Sequence, residues 1–152
     1  MIHGPNGNGK TNLAAAIANA LRARGRPALF MRVPDLMDFL RQAYDEQAIF
    51  VQSLAETGSM SLLARLETIR RVPVLILDDL AAEKSSEWVD EKRYQILDFR
   101  TVERLPTVIT TNISPEEWAE KLGARIADRL GNRLLAKVVH NAAASYRQAG
   151  LE

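Results

Sequence analysis

Apolar residues along this chain fall into short dense runs separated by longer stretches in which they recur every three or four positions, the mark of strands alternating with helices. Leu13, Ile17, Ala20 and Leu21 recur at helical spacing until Gly25 and Pro27 end the run, so a helix is expected over 11–24 and a strand over 28–32. A second helical pattern opens at Asp35 after Pro34, with Leu36, Phe39, Leu40 and Ala43 on one face. It continues through Ile49, Val51 and Leu54 to a break at Gly58, and a further helix is expected over 61–70. Residues 72–77 form an apolar run rich in valine and leucine, as in a parallel strand covered on both faces, with Pro73 tolerable only near its start. Ser85 and Ser86 precede a long amphipathic stretch, 87–104, whose inner stripe is read as Ile96, Phe99 and Val102. Pro106 disfavours helical geometry at Leu105, so a strand over 107–110 follows. Ser114, Pro115, Glu116 and Glu117 combine an N-cap, a first-turn proline and two acids matched to the helix dipole, and they start a helix that Gly123 stops. A short helix over 124–130, a strand-like 134–139 and a tail over 142–147 complete the alternation. The pattern predicts a three-layer α/β fold on a parallel sheet with right-handed crossovers.

Length and composition narrow the class. A chain of 152 residues suits one domain, 1–152, with one ordinary core. The absence of cysteine excludes disulfides and thiolate metal sites and argues against a structural zinc. Net charge is +1, so any nucleic-acid contact must come from a local basic patch. No apolar run approaches the roughly 18 residues a membrane helix needs, so no membrane partner is expected and the cytoplasm is the expected location. Only Ile2 and His3 precede the Gly-rich loop, where a phosphate-binding fold has a buried strand of about five residues. The first strand is therefore expected to be largely missing, and the chain to be a fragment of a parent with an N-terminal extension.

The candidate chemistry gathers at the ends of the expected strands. Gly4, Pro5, Asn6, Gly7, Asn8, Gly9, Lys10 and Thr11 match G-x-x-x-x-G-K-[ST] and open a helix. In that motif backbone amides cradle phosphate, the lysine reaches the outer phosphates of ATP, and the hydroxyl ligates Mg2+. The run Val74-Leu75-Ile76-Leu77 delivers Asp78 and Asp79 to the carboxyl end of a strand, where ligands bind in open α/β sheets. Asp78 is expected to hold the magnesium with Thr11, and Asp79 to polarise the attacking water. Asn112, ending the next strand, is expected beside Asp78, either orienting that water or capping the helix after it. Arg125, Arg129 and Arg133 recur every four residues, a spacing suited equally to a phosphate on a neighbouring subunit and to a solvated basic face. Asp128 is placed to pair with one of them, and Gly131 to end the helix before Arg133. His3, His140, Trp88 and Trp118 have no partners at catalytic or metal spacing and are read as packing or surface residues.

The loop, the Asp78-Asp79 strand end and Ala82-Glu83-Lys84-Ser85-Ser86-Glu87-Trp88 together resemble the DnaC/DnaI-like bacterial helicase loaders of the AAA+ class. Leu105-Pro106-Thr107, Thr110-Thr111-Asn112, the segment from Leu122 to Leu130, and Ser145-Tyr146-Arg147 extend the resemblance over nearly the whole chain, in the family's order. It implies an AAA+ P-loop core, here without a separate helical lid. By resemblance Asn112 is the sensor-1 residue, Arg129 an arginine finger acting in trans, and Arg147 the sensor-2 arginine. The stretch from Val33 to Tyr44 is similar to the family's helical insertion that contributes to single-stranded DNA contact, with Arg32 and Arg41 as candidate phosphate contacts. Ala81 stands where a glycine is usual and Thr111 where a serine is usual. The implied function is an ATP-dependent helicase loader with a replicative helicase, single-stranded DNA and like subunits as partners. An IstB-like transposition helper ATPase and a nucleotide-sensing adaptor with little hydrolysis are the alternatives.

Overall fold

The computed structural model describes residues 1–50 and 61–146, the side chains of 44–50 excepted. Val51, Leu54, Gly58, Arg147 and the side chain of Ile49 lie outside the described residues. Five strands, β1 (Ile2–His3), β2 (Ala28–Arg32), β3 (Val74–Leu80), β4 (Thr107–Thr111) and β5 (Val139–His140), form one sheet in the order β2-β3-β4-β1-β5. Every neighbouring pair is parallel. The helices are α1 (Lys10–Ala23), α2 (Val33–Phe50), α3 (Leu62–Arg71), α4 (Glu87–Val102), α5 (Trp118–Leu122) and α6 (Ala124–Gly131). This is the expected alternation, and among the described residues no separate helical lid follows β5.

From β1 the chain moves out to β2 at the sheet edge, then returns through β3 and β4 and passes β1 to reach β5. With right-handed crossovers, that reversal puts α1 on one face and the later helices on the other. The pleat agrees. Leu75, Leu77 and Ile109 join a buried cluster with residues of α2, α3, α4, α5 and α6, whereas Ile76, equally buried between the two leucines, points to the opposite face. The loops leaving β1 and β4, neighbours in the sheet, therefore depart to opposite faces and open a crevice at the carboxyl ends of the strands.

Packing revises several stripes read from periodicity. On α1 the fully buried position is Ala14, whereas Leu13 is 44% exposed. A methyl group at 14 allows close approach to the sheet, while the larger Leu13 lies off that line. On α2 the inner face is Val33, Leu36, Met37, Leu40 and Ala43, and Phe39 lies outside it under the Arg65 guanidinium. On α4 the buried face is Val89, Arg93, Ile96, Leu97 and Arg100, at helical spacing, and Val102 is 67% exposed. Apolarity alone could not find that face because two of its five members are arginines.

Both arginines satisfy buried oxygens. Arg100 donates to Thr107 Oγ1 at 2.8 Å, to the carbonyls of Arg70 and Val72 at 2.9 and 2.8 Å, and to that of Pro106 at 2.7 Å. It thereby caps the end of α3 and ties it to the approach to β4. Burial pushes its pKa down to about 10, which still leaves it charged at neutral pH. Arg93 bonds Glu83 Oε1 at 2.8 Å and Asp90, pinning the loop after β3 to α4. The expected strand over 134–139 shrinks to Val139–His140, which pairs with β1. Leu134 is 94% exposed, and the chain before β5 turns on Asn132.

Candidate phosphate-binding site

The turn from β1 into α1 is shaped by its glycines. Gly7 and Gly9 have φ of 79° and 85°, in the left-handed region that glycine enters without steric cost. At Gly4 a Cβ would collide with the Asn141 carbonyl oxygen, so the close approach of the C-terminal segment requires glycine there. Gly9 is the N-cap of α1 and offers no side-chain acceptor, so the first-turn amides of a 14-residue helix face the loop. Lys10 Nζ donates to the carbonyls of Gly4 and Pro5 at 2.9 and 2.7 Å and to Asn8 Oδ1 at 3.0 Å. Burial holds the Lys10 pKa below the ordinary lysine value, against the opposing pull of Asp79 and Asp78.

Two carboxylates meet this loop from β3. Thr11 Oγ1 donates to Asp78 Oδ2 at 3.0 Å, and Thr110 Oγ1 donates to Asp78 Oδ1 at 2.5 Å. Asp78 is 1% exposed. Between Leu77 and Leu80 the pairing of β3 with β4 slips, and Asp79 adopts φ 61°. The slip turns Asp79 out of the ladder, with its N–H bonded to Thr110 Oγ1 at 3.0 Å and its carboxylate 3.5 Å from both Asn112 Nδ2 and Arg32 Nη2. Asn112 thus stands beside Asp79 and not beside Asp78 as expected: the register that pairs Leu77 with Ile109 sets Asp78 against Thr110, and the bulged backbone at Asp79 turns its carboxylate toward Asn112. The place beside Asp78 belongs to Thr110. A cleft of about 230 Å³ runs between residues 6–12, Asp79, Asn112 and Tyr146.

The family model for IstB-like ATP binding proteins matches residues 1–150. The chain belongs to that family. It is 32% identical over 136 residues to the replicative helicase loader DnaC of Escherichia coli K12, covering 88% of this chain and 51% of that protein. It is likewise 32% identical over 117 residues to the replicative helicase loader DnaI of Bacillus subtilis 168, covering 76% of this chain and 33% of that one. The chain thus spans about half the length of the first of these relatives and a third of the second. The crystal structure of a DnaC helicase loader superposes with a TM-score of 0.74 at 28% identity, covering 91% of this chain and 75% of that one. The sheet is that of the AAA+ fold, as the resemblance implied.

Within this IstB-like ATP-binding core, Gly4–Thr11, Asp78, Asp79 and Asn112 converge on the crevice, and Arg129 does not. Arg129 lies on α6, its Nε and Nη2 at 2.9 and 2.7 Å from Asp98 Oδ1 on α4, and that hydrogen bond raises its pKa. Arg125 lies over the Tyr94 ring, and Arg133 follows the end of α6 at Gly131, as expected. Arg41 pairs with Asp38 and stacks over Trp88 at 5.4 Å, while Arg32 faces Asp79. Three participants escaped the sequence. Thr110 carries a readable signal, a hydroxyl at the end of the strand next to the aspartates. Asn141 and Tyr146 carry none, since they reach the loop only by folding back across 130 residues or more. The donor set suits a magnesium nucleotide: a lysine ammonium on loop carbonyls, and a hydroxyl and a carboxylate oxygen 3.0 Å apart.

Proposed function

We propose that this chain is the ATPase core of a replicative helicase loader that binds ATP with magnesium and, in that form, associates with like subunits and single-stranded DNA. The observation that carries the proposal is the convergence of Lys10, the Thr11–Asp78 pair and the Asp79–Asn112 pair on one cleft. Magnesium, held by Thr11 and Asp78, supplies charge neutralisation across the phosphates when bound. Lys10 exchanges its loop carbonyls for the outer phosphate oxygens. Asp79, kept out of the strand ladder, accepts a proton from the attacking water, and Asn112 orients that water. Arg129, remote from its own cleft, reaches the nucleotide of a neighbouring subunit, where it offsets charge developing on the transferred phosphoryl group. Arg147 is proposed to contact the phosphates from the C-terminal side. The names of the 32%-identical relatives favour a loader and a replicative helicase as partner.

Membership of the IstB-like family favours a second proposal, that the chain is an IstB-like transposition helper, which would engage duplex DNA. ATP turnover measured against protein concentration, with single-stranded or duplex DNA, tests both. A specific rate that climbs with concentration and rises further with single-stranded DNA supports the loader. Stimulation by duplex DNA alone favours the transposition helper, and tight ATP binding with flat turnover favours a nucleotide-sensing adaptor.

A further inference from the structure

The C-terminal segment after β5 does more than extend the sheet. Asn141 N–H bonds the His3 carbonyl at 2.8 Å, continuing the β5 ladder to the last residue of β1. Its side chain then crosses to the phosphate loop. Asn141 Nδ2 donates to the Asn8 carbonyl at 2.9 Å, and Asn8 Nδ2 donates back to the Asn141 carbonyl at 2.5 Å. Asn8 is buried, and its Oδ1 is one of the three acceptors of the Lys10 ammonium. A continuous path therefore runs from Asn141 through Asn8 to the lysine. Farther on, Tyr146 N–H bonds the Gly7 carbonyl at 3.1 Å, and its ring lies 3.5 Å from where a Cβ at Gly9 would stand. Asn141 Oδ1 accepts from Ala143 N at 3.2 Å, so the turn that sends the chain toward the loop is built on the same side chain.

We infer that Asn141 is a positioning residue for the phosphate loop, setting the carbonyl of Asn8 and, through the Asn8 side chain, the seat of Lys10, and that residues 141–146 move with the loop as one unit. An asparagine meets the chemical requirement because one amide must donate to the loop and accept from its own turn at once. Aspartate retains only the acceptor and alanine neither. Neither Asn8 nor Asn141 belongs to the buried cluster between the sheet and α2–α6, so loss of the pair is expected to free the loop without opening that core. The inference rests on the loop being the nucleotide site.

Calorimetric titration with Mg-ATP tests it on three proteins: the parent, Lys10→Ala, and Asn141→Ala. Binding by the parent and none by Lys10→Ala establishes the site independently of Asn141. Asn141→Ala is then expected to bind roughly fivefold more weakly, the worth of one hydrogen bond, with its unfolding midpoint without nucleotide within about 3 °C of the parent. Unchanged affinity with a lowered midpoint would make Asn141 a structural strap and overturn the inference. Failure of the parent to bind would remove the nucleotide site and the inference with it. Amide exchange on the unmutated protein needs no variant to fold. ATP is expected to slow exchange at Ala143 and Tyr146 together with the loop amides, and tail amides indifferent to ATP would refute the movement as one unit.

Discussion

The carboxyl end of the sheet and the surface formed by α4 and α6 both present charged side chains, but they are assembled differently. At the sheet end, Lys10 meets the carbonyls of its own loop, and Asp78 and Asp79 meet partners brought from elsewhere in this chain: Thr11, Thr110, Asn112 and Arg32. On the α4–α6 surface, Arg129 is 36% exposed, held chiefly by Asp98, and lines no part of the loop cleft. Lys10 and Asp78 are buried within their own chain, whereas Arg129, which we propose acts on a neighbouring subunit, is tied at the surface by a pair that solvent screens.

Substitutions can break this contrast, beginning with the largest effect. Lys10→Ala removes the cation from the phosphates and is expected to weaken ATP binding roughly 10³-fold, about 4 kcal/mol, by titration; retained affinity would deny the loop its role. Arg129→Ala is expected to leave ATP affinity within about twofold and to lower turnover roughly 10²-fold. Mixing it with Lys10→Ala, which keeps the arginine but lacks the lysine, should restore part of the turnover; a mixture no faster than its components would place Arg129 outside the reaction.

Backbone strain gives a smaller effect. Ala81 has φ 73°, in the left-handed region that glycine enters without steric cost, and Ala81→Gly is expected to raise stability by about 1 kcal/mol with turnover unchanged. A lowered melting midpoint would mean that the methyl group makes contacts worth more than the strain. The smallest effect concerns pH. His3 stacks on His140 at 4.8 Å, and burial first, then the charge of His140, holds its pKa below the ordinary 6.5; Lys10 and the N-terminus act the same way and Glu116 opposes them. The folded state therefore binds this proton less readily than the unfolded state, and stability present above pH 6.5 declines as pH falls through the window beneath it. His3→Gln should flatten the melting midpoint between pH 7 and 5.5, and a slope unchanged by the substitution would assign it to other groups.

Much of the architecture was legible along the chain because strand and helix periods differ and because Gly25, Pro106, Ser114 and Gly123 punctuate them. The loop motif was legible because phosphate binding by backbone amides demands a local sequence. The buried face of α4 was not, since Arg93 and Arg100 read as surface residues until their carbonyl and carboxylate partners are known. Residues 134–139 misled for the opposite reason, being apolar and largely exposed.

By itself, then, the order of residues determined the elements, their punctuation and a phosphate loop followed by two acids at a strand end, because each depends on neighbours within a few positions. The tertiary structure alone decided the register that gives Asp78 to Thr110, the bulge that turns Asp79 toward Asn112, the separation of Arg129 from its own cleft, and the return of Asn141 to Asn8. Those depend on strand register and on contacts between distant segments, and a pairing across 133 positions leaves no periodic trace in either segment.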